Sequence, residues 1–202
     1  MIGIIDYEAG NISSVRNSLS ALNIASMVLS EPQQFSLVKK IIIPGVGEAE
    51  SAMSKLKSKA LDQALQKTTK PVLGICLGMQ LFFDSSEEGN ASCLSIVPGV
   101  VKKITPNREL NIKVPHMGWN TLSAINVEDE RLSKLIDRKH YYFVHSYFCP
   151  INEYTKSSTH YGMSFASTVQ KDNFIGVQFH PEKSGENGMS FLRYFCEVFD
   201  ES

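Results

Sequence analysis

Short apolar runs alternate with amphipathic stretches through the first half of the chain. "MIGIID" reads as a strand, and beyond Gly10-Asn11 the residues Ile12, Val15, Leu19 and Leu22 recur at the spacing of one helical face. "ASMVLS" and the wholly apolar "KKIIIPG", stopped by Pro44, predict two further strands. The segment from Glu48 to Lys67, rich in Ala, Lys, Leu, Glu and Gln, predicts a helix. "KPVLGIC" predicts another buried strand, and "LGMQLFFD" the helix after it. Strands in alternation with helices predict a parallel sheet covered on both faces.

After Gly89 the pattern changes. "GVVKKIT", "KVPHMGWNTL", "YYFVHSYF", "YGMSFASTVQ" and "NFIGVQFH" read as successive strands with few helical windows between them, and "KDN" at 171 to 173 supplies a hairpin turn. A last helix is expected from about Gly188 to Phe199, with Met189, Leu192, Phe195 and Phe199 on one face. The expected fold is therefore α/β, a mostly parallel sheet with helices on both faces and additional antiparallel strands in the C-terminal half. No repeat, low-complexity tract or linker divides the chain, so residues 1–202 are expected to form a single domain.

Composition narrows the function classes. Of 202 residues, 43% are hydrophobic and 20% charged, enough to bury a substantial core. Twenty basic and 21 acidic residues leave a net charge of −1 with no basic run, so no nucleic-acid partner is expected. No apolar stretch reaches the length of a membrane span and no basic leader precedes one, so a cytoplasmic protein without membrane contact is expected. The four cysteines, at 76, 93, 149 and 196, include no CxxC pair, which suggests a reducing compartment and neither a zinc nor a redox site.

Chemistry is suggested at three places. "GICLGMQ", residues 74 to 80, sets a lone cysteine where a strand turns into a helix. A nucleophile at such an elbow is held strained, and glycines two positions to either side, here Gly74 and Gly78, let backbone pass closely. The elbow would place the Cys76 sulfur at a helix N-terminus, which favours thiolate, and the Leu77 N–H where an oxyanion forms. A buried thiol in a tight turn satisfies the same string. In "HPEKS", Pro181 biases His180 toward extended backbone, and in an extended segment His180 and Glu182 share one face. A carboxylate there can orient the imidazole as the third member of a Cys-His-acid set, and "FIGVQF" would deliver His180 to a sheet edge. An ordinary surface turn would read the same way. "PGVG", residues 44 to 47, lies at the carboxyl end of an apolar strand, where open α/β sheets bind ligands, and a plain strand-to-helix turn also accounts for it.

In this order, "PGVG", "GICLGMQ" and "HPEKS" resemble the triad class of glutamine amidotransferases, which use cysteine, histidine and glutamate. "GIIDYEAGNISSVRNSL", "VPHMGWN" at 114 to 120, "YYFVHSY" at 141 to 147 and the lysine after HPE narrow the resemblance to the glutaminase subunits of imidazole glycerol phosphate synthase. It runs from Ile2 to about Gly188.

The resemblance implies a flavodoxin-like fold and hydrolysis of glutamine to glutamate and ammonia through a cysteine thioester. It implies a barrel-type cyclase subunit as partner in a heterodimer. That partner receives the ammonia and makes imidazole glycerol phosphate and aminoimidazole carboxamide ribotide in histidine biosynthesis. No cofactor and no metal are implied. By position, Cys76 becomes the nucleophile, His180 the general base and then acid, and Glu182 its orienter. The oxyanion donors map to Leu77 and to the PGVG turn, at Val46 with Gly47 beside it. Gly45, Gln80, Ser146 and Tyr147 would hold glutamine, while Trp119, Tyr142 and Lys183 would face the partner. Amide hydrolysis fits these residue types: a thiolate attacks the carboxamide, and an imidazolium returns its proton to nitrogen as ammonia leaves.

His116, His140, His145 and His160 are expected to be structural or exposed, and Cys93, Cys149 and Cys196 passive. Four other readings stand beside this one: a paralogous subunit supplying ammonia in surface-sugar biosynthesis, an amidotransferase partner of anthranilate or aminodeoxychorismate synthesis (against which "PGVG" and "HPEKS" weigh), a stand-alone cysteine hydrolase, and a catalytically silent regulatory subunit. Gln80 and Glu182 weigh against the hydrolase, and the intact Cys76, His180 and Glu182 against the silent subunit.

Overall fold

In the computed structural model, which describes residues 1–8, 11–109 and 112–199, the first half alternates strand and helix as the apolar pattern requires. Gly10, in the expected turn after the first strand, lies outside the described residues. Strand β1 (Ile2–Ile5) leads to α1 (Ile12–Ala21), β2 (Ser26–Leu29), β3 (Lys40–Ile43), α2 (Ala49–Ser58), α3 (Leu61–Lys67), β4 (Val72–Ile75) and the single turn α4 (Leu77–Gln80). Next come β5 (Ser85–Ser86), β6 (Ala91–Ser92), β7 (Val100–Lys103), β8 (His116–Thr121), β9 (Ser123–Ala124) and α5 (Glu130–Ile136). The chain closes with β10 (His140–His145), β11 (Tyr147–Phe148), β12 (Thr155–His160), β13 (Ser164–Lys171), β14 (Phe174–Val177) and α6 (Gly185–Glu197).

The main sheet has the order β2-β1-β3-β4-β14-β13-β12-β9. The first five strands pair in parallel, and β14, β13, β12 and β9 pair antiparallel. Numbered along the chain, the parallel strands run 2-1-3-4-5, the flavodoxin-like order. Successive side chains enter opposite cores. Ile41 and Ile43 pack with Ile5, Val72, Phe82 and Phe83 on one face, whereas Ile42 joins Ile4, Leu73, Ile75 and Phe179 on the other. Burial on both faces is what turns these strands into unbroken apolar runs. Beside the main sheet, β8 pairs with β10, and a smaller sheet runs β11-β7-β5-β6.

Several expectations need correction. The helix expected from Glu48 to Lys67 is two helices, broken where Ala60 takes a left-handed conformation (φ 55°). Leu56 and Leu61 are both fully buried, and their five-residue spacing falls outside the 3–4 period of one helix face. The helix expected in "LGMQLFFD" stops after one turn, because Leu81, Phe82 and Phe83 are all buried and three consecutive residues cannot share a stripe. "YYFVHSYF" divides at Ser146 into strands of different sheets, and "KVPHMGWNTL" becomes a strand only from His116. The last helix starts at Gly185, not Gly188, and Met189 is only half-buried. Helix α5 and strand β12 were not expected. The inward residues of β12 are Thr155, Ser157 and Thr159, so its alternation is hidden from a hydrophobic pattern. Hydroxyl pairs Ser157–Thr168 (2.8 Å) and Thr159–Ser167 (2.7 Å) satisfy two of them.

Candidate active site

Adjacent parallel strands β4 and β14 end at the same level, and each carries one candidate catalytic group just beyond its carboxyl end. Cys76 follows β4 with φ 50° and ψ −105°, a strained conformation for a non-glycine residue, held by its N–H on the Val177 carbonyl (2.7 Å). Glycine is obligatory around it. A Cβ on Gly74 would lie 2.6 Å from the Gly78 carbonyl, and one on Gly78 would lie 2.2 Å from the Ile43 carbonyl oxygen. A Cβ on Gly45 would meet the Ile75 oxygen at 1.7 Å and the Leu77 nitrogen at 2.5 Å, so the PGVG turn lies directly on the elbow. Because α4 is a single turn, only local N–H groups and not a long helix dipole act on the sulfur.

His180 is buried and extended (φ −103°, ψ 96°) three residues past the end of β14, one of the central strand pair β4–β14, and not at a sheet edge as expected. Its Nδ1 meets Glu182 Oε1 at 2.8 Å, with both side chains fully enclosed. The geometry differs from the expected extended pair: Pro181–Lys183 forms a 3₁₀ turn that folds Glu182 back toward the ring. Burial pulls the His180 pKa down, but the charge of Cys76, a marginal contact with its sulfur and the Glu182 carboxylate outweigh it and push it up to about 10. The contact falls short of a formed bond, since Nε2 is buried without a hydrogen-bond partner. Ser184, missed in the sequence, fixes the loop: its Oγ donates to the His180 carbonyl (2.6 Å) and accepts from the Tyr142 N–H (2.9 Å). The Tyr142 carbonyl in turn accepts from the His180 N–H (2.9 Å).

A cavity of about 310 Å³ opens over the sulfur. Its lining brings together Gly45, Val46, Gly47, Cys76, Leu77, Gln80, Ser146, Tyr147 and His180, all expected from sequence. Glu182 stands behind His180, outside this lining. Trp119 and Tyr142 lie apart from the cavity as a cross-strand pair of β8 and β10, rings 6.1 Å apart, and Lys183 is exposed beside Glu182.

Six cavity or site residues escaped the sequence reading besides Ser184: Pro115 and Val144 complete the lining, and four more bring polar groups. Glu88 lines the cavity, and burial raises its pKa. His145 also lines it, held neutral by burial at a pKa of about 3. Tyr7 is buried under the PGVG turn, donating to the Pro44 carbonyl (2.6 Å). Gln178, fully buried, places its Nε2 3.5 Å from the Cys76 sulfur. Its signal was a polar residue ending an apolar strand two positions before His180. Among the described residues no cluster of side chains could hold a metal ion.

The family model for class-I glutamine amidotransferases matches residues 3–198. The chain is 45% identical to the imidazole glycerol phosphate synthase subunit HisH of Bacteroides fragilis, over 98% of this chain and 99% of the relative. The HisH subunit of Idiomarina loihiensis is 41% identical, over 96% of each chain. Among solved structures, a glutamine amidotransferase superposes with a TM-score of 0.73 at 15% identity, covering 97% of each chain. PurLQS from Thermotoga maritima superposes with a TM-score of 0.69 at 14% identity, covering 96% of each. These structures share the fold, and the sequence match goes further: the chain belongs to the class-I glutamine amidotransferases, among the HisH subunits.

Proposed function

We propose that this chain is the glutaminase subunit of an imidazole glycerol phosphate synthase, producing ammonia for a barrel-type cyclase in histidine biosynthesis. The observation that carries the reading is the convergence of Cys76 and the His180–Glu182 pair at the ends of β4 and β14, over one cavity. Full-length likeness to HisH subunits supports the histidine pathway over a surface-sugar paralogue.

Glutamine enters with its carboxamide toward Cys76. The sulfur attacks the amide carbon, and the oxyanion is met by the Leu77 and Val46 N–H groups. His180, kept protonated by its charged neighbours, gives its proton to the departing nitrogen. Ammonia leaves and a thioester remains. His180, now neutral, takes a proton from water, which releases glutamate and restores the thiolate. Glu182 holds the imidazole by Nδ1, so that Nε2 does the proton transfers. At the other end of the cavity, Gln80 spends both amide protons, on the Tyr147 carbonyl (2.9 Å) and on Gln178 Oε1 (3.1 Å). Its oxygen is therefore the atom left for the glutamine ammonium, with Glu88 as counter-charge.

The partner seats on β8 and β10, where Met117 and Trp119 are 62% and 57% exposed and Tyr142 pairs with Trp119. An apolar patch on the strand pair that anchors His180 suits a lasting interface. Lys183 at its margin would meet an acidic group.

Replacement of Cys76 by alanine tests this division of labour. The complex with its cyclase is expected to lose synthesis from glutamine and to keep synthesis from ammonium salts. Loss of both in a folded complex would overturn it.

A further inference from the structure

Hydrogen-bond polarity in the site can be followed from one end to the other, and it ends on the nucleophile. The Tyr147 carbonyl can only accept, and it receives both His145 Nδ1–H (2.8 Å) and a Gln80 amide proton (2.9 Å). Gln80 must therefore present its nitrogen there. Its second proton goes to Gln178 Oε1 at 3.1 Å. With its oxygen committed as acceptor, the Gln178 amide has one orientation left, the one that turns Nε2–H toward the Cys76 sulfur at 3.5 Å. A side-chain amide assignment ordinarily rests on such a network, and here a backbone carbonyl anchors it. The amide is fully buried, so water does not compete for it.

We propose that Gln178 is a further catalytic residue of the site: its amide N–H stabilises the Cys76 thiolate that attacks glutamine. The inference deepens the glutaminase reading and rests on it for the identity of the electrophile. A thiolate in a closed site needs more than one source of positive potential. His180 supplies a full charge, but that charge disappears whenever the ring gives up its proton to the leaving nitrogen. Gln178 is a fixed dipole that remains through both half-reactions, and a carboxamide N–H is too weak an acid to give up its proton. Tyr7 and Cys149 raise no competing claim, since burial first and the Cys76 charge second push both of their pKa values up and keep them neutral. The same wiring explains why both positions are amides: Gln80 needs two protons to donate, and Gln178 must accept at one end and donate at the other.

Iodoacetamide alkylation of the full chain tests this without requiring glutamine turnover; the S–C bond forms as iodide leaves. Cys93 and Cys149 are buried and Cys196 is half-buried, and burial pushes all three thiol pKa values up, to about 11 for Cys93 and about 12 for Cys196, so labelling near neutral pH reads Cys76, as peptide mass mapping verifies. A hydrogen bond to a charged group is worth roughly ten- to a hundredfold in an equilibrium. Gln178→Leu, similar in volume and without the donor, is expected to slow Cys76 alkylation by about tenfold or more. Glutaminase kcat should fall in step, with KM for glutamine little changed because Tyr147 still holds Gln80. Gln178→Asn, which withdraws the amide by one methylene, carries the same expectation and replaces the leucine variant if that one fails to fold. Alkylation within about twofold of wild type in either folded variant overturns the proposal, by the tenfold criterion above. Failure of wild type to hydrolyse glutamine, alone or with a cyclase, would instead overturn the glutaminase reading and leave the alkylation result standing.

Discussion

Mild acid should weaken this fold through two histidines that the proposed chemistry does not use. His145 donates Nδ1–H to the Tyr147 carbonyl, and its Nε2 pairs with His116 Nδ1 at 2.9 Å. His116 Nε2 in turn meets Asn120 Nδ2 at 3.3 Å. The Tyr147 carbonyl fixes the tautomers: each ring donates from Nδ1 and accepts at Nε2, so a second proton on either would face another donor. Burial pulls His116 down to about 4 and His145 to about 3, against about 6.5 for a free histidine. Folded values below unfolded ones mean that, between about pH 6.5 and 4, the unfolded chain binds protons the native state refuses. Stability is therefore complete above about pH 6.5 and falls as pH drops through that window. At about pH 5 the deficit is about 2 kcal/mol for His145. It is about 1 kcal/mol for His116, because the two rings share one hydrogen bond and their costs do not add in full. His180 runs the other way: its raised value contributes stability that is present below about pH 6.5 and lost only as pH rises toward 10, so it stays nearly constant here. Glu88, raised by burial, offsets a little of the loss by taking up its proton early. Urea unfolding should show a midpoint about 1–2 M lower at about pH 5 than at about pH 6.5, for a slope of about 2 kcal/mol/M. Histidine ring resonances should keep both rings neutral across that range. Equal midpoints, together with two rings that titrate near 6.5, would refute the locked pair.

Glu182→Gln should depress glutaminase kcat less than His180→Ala, because Glu182 orients the ring while His180 moves the protons; steady-state assays of equally folded variants decide it, and a Glu182→Gln enzyme equal to wild type removes the carboxylate from the mechanism. Tyr7→Phe should lower glutaminase kcat about 2- to 10-fold and leave ammonia-dependent synthesis intact, since the lost hydroxyl braces the Pro44 carbonyl and reaches the Val46 carbonyl at 3.5 Å. The Val46 N–H should complete the oxyanion site only when the cyclase and its ligand are bound, raising glutamine turnover by about 100- to 1,000-fold; similar rates for the isolated chain, the complex and the ligand-loaded complex would show that no such switch exists.

What the sequence made legible follows from where burial is two-sided. The five parallel strands announce themselves because Ile41, Ile42 and Ile43 all enter a core, one face or the other, and any polar substitution there would be felt. Strand β12 stayed hidden for the converse reason: its inward positions are threonine and serine, and the Ser157 and Thr159 hydroxyls pair across the sheet on β13, which no local pattern displays. The break between α2 and α3 was visible in principle, as a five-residue gap between Leu56 and Leu61, but a count of good helix formers passes over it.

The candidate site divides along a similar line. Cys76, His180 and Glu182 are readable because their roles attach to residue type at a short spacing, glycine beside a nucleophile or proline after a histidine. Gln178, Tyr7 and Ser184 act through what lies across the fold from them: an amide proton on a sulfur 102 positions away in sequence, a phenol under a turn 37 positions on, a hydroxyl bridging to Tyr142 over 42. Even the contact that sequence did foresee, His180 to Glu182, is made by a 3₁₀ turn and not by the extended spacing that suggested it. Residue type thus tells which groups can perform the chemistry, whereas the direction in which each donor points is set by the acceptors that have no choice, and in this site the first of those is the carbonyl of Tyr147.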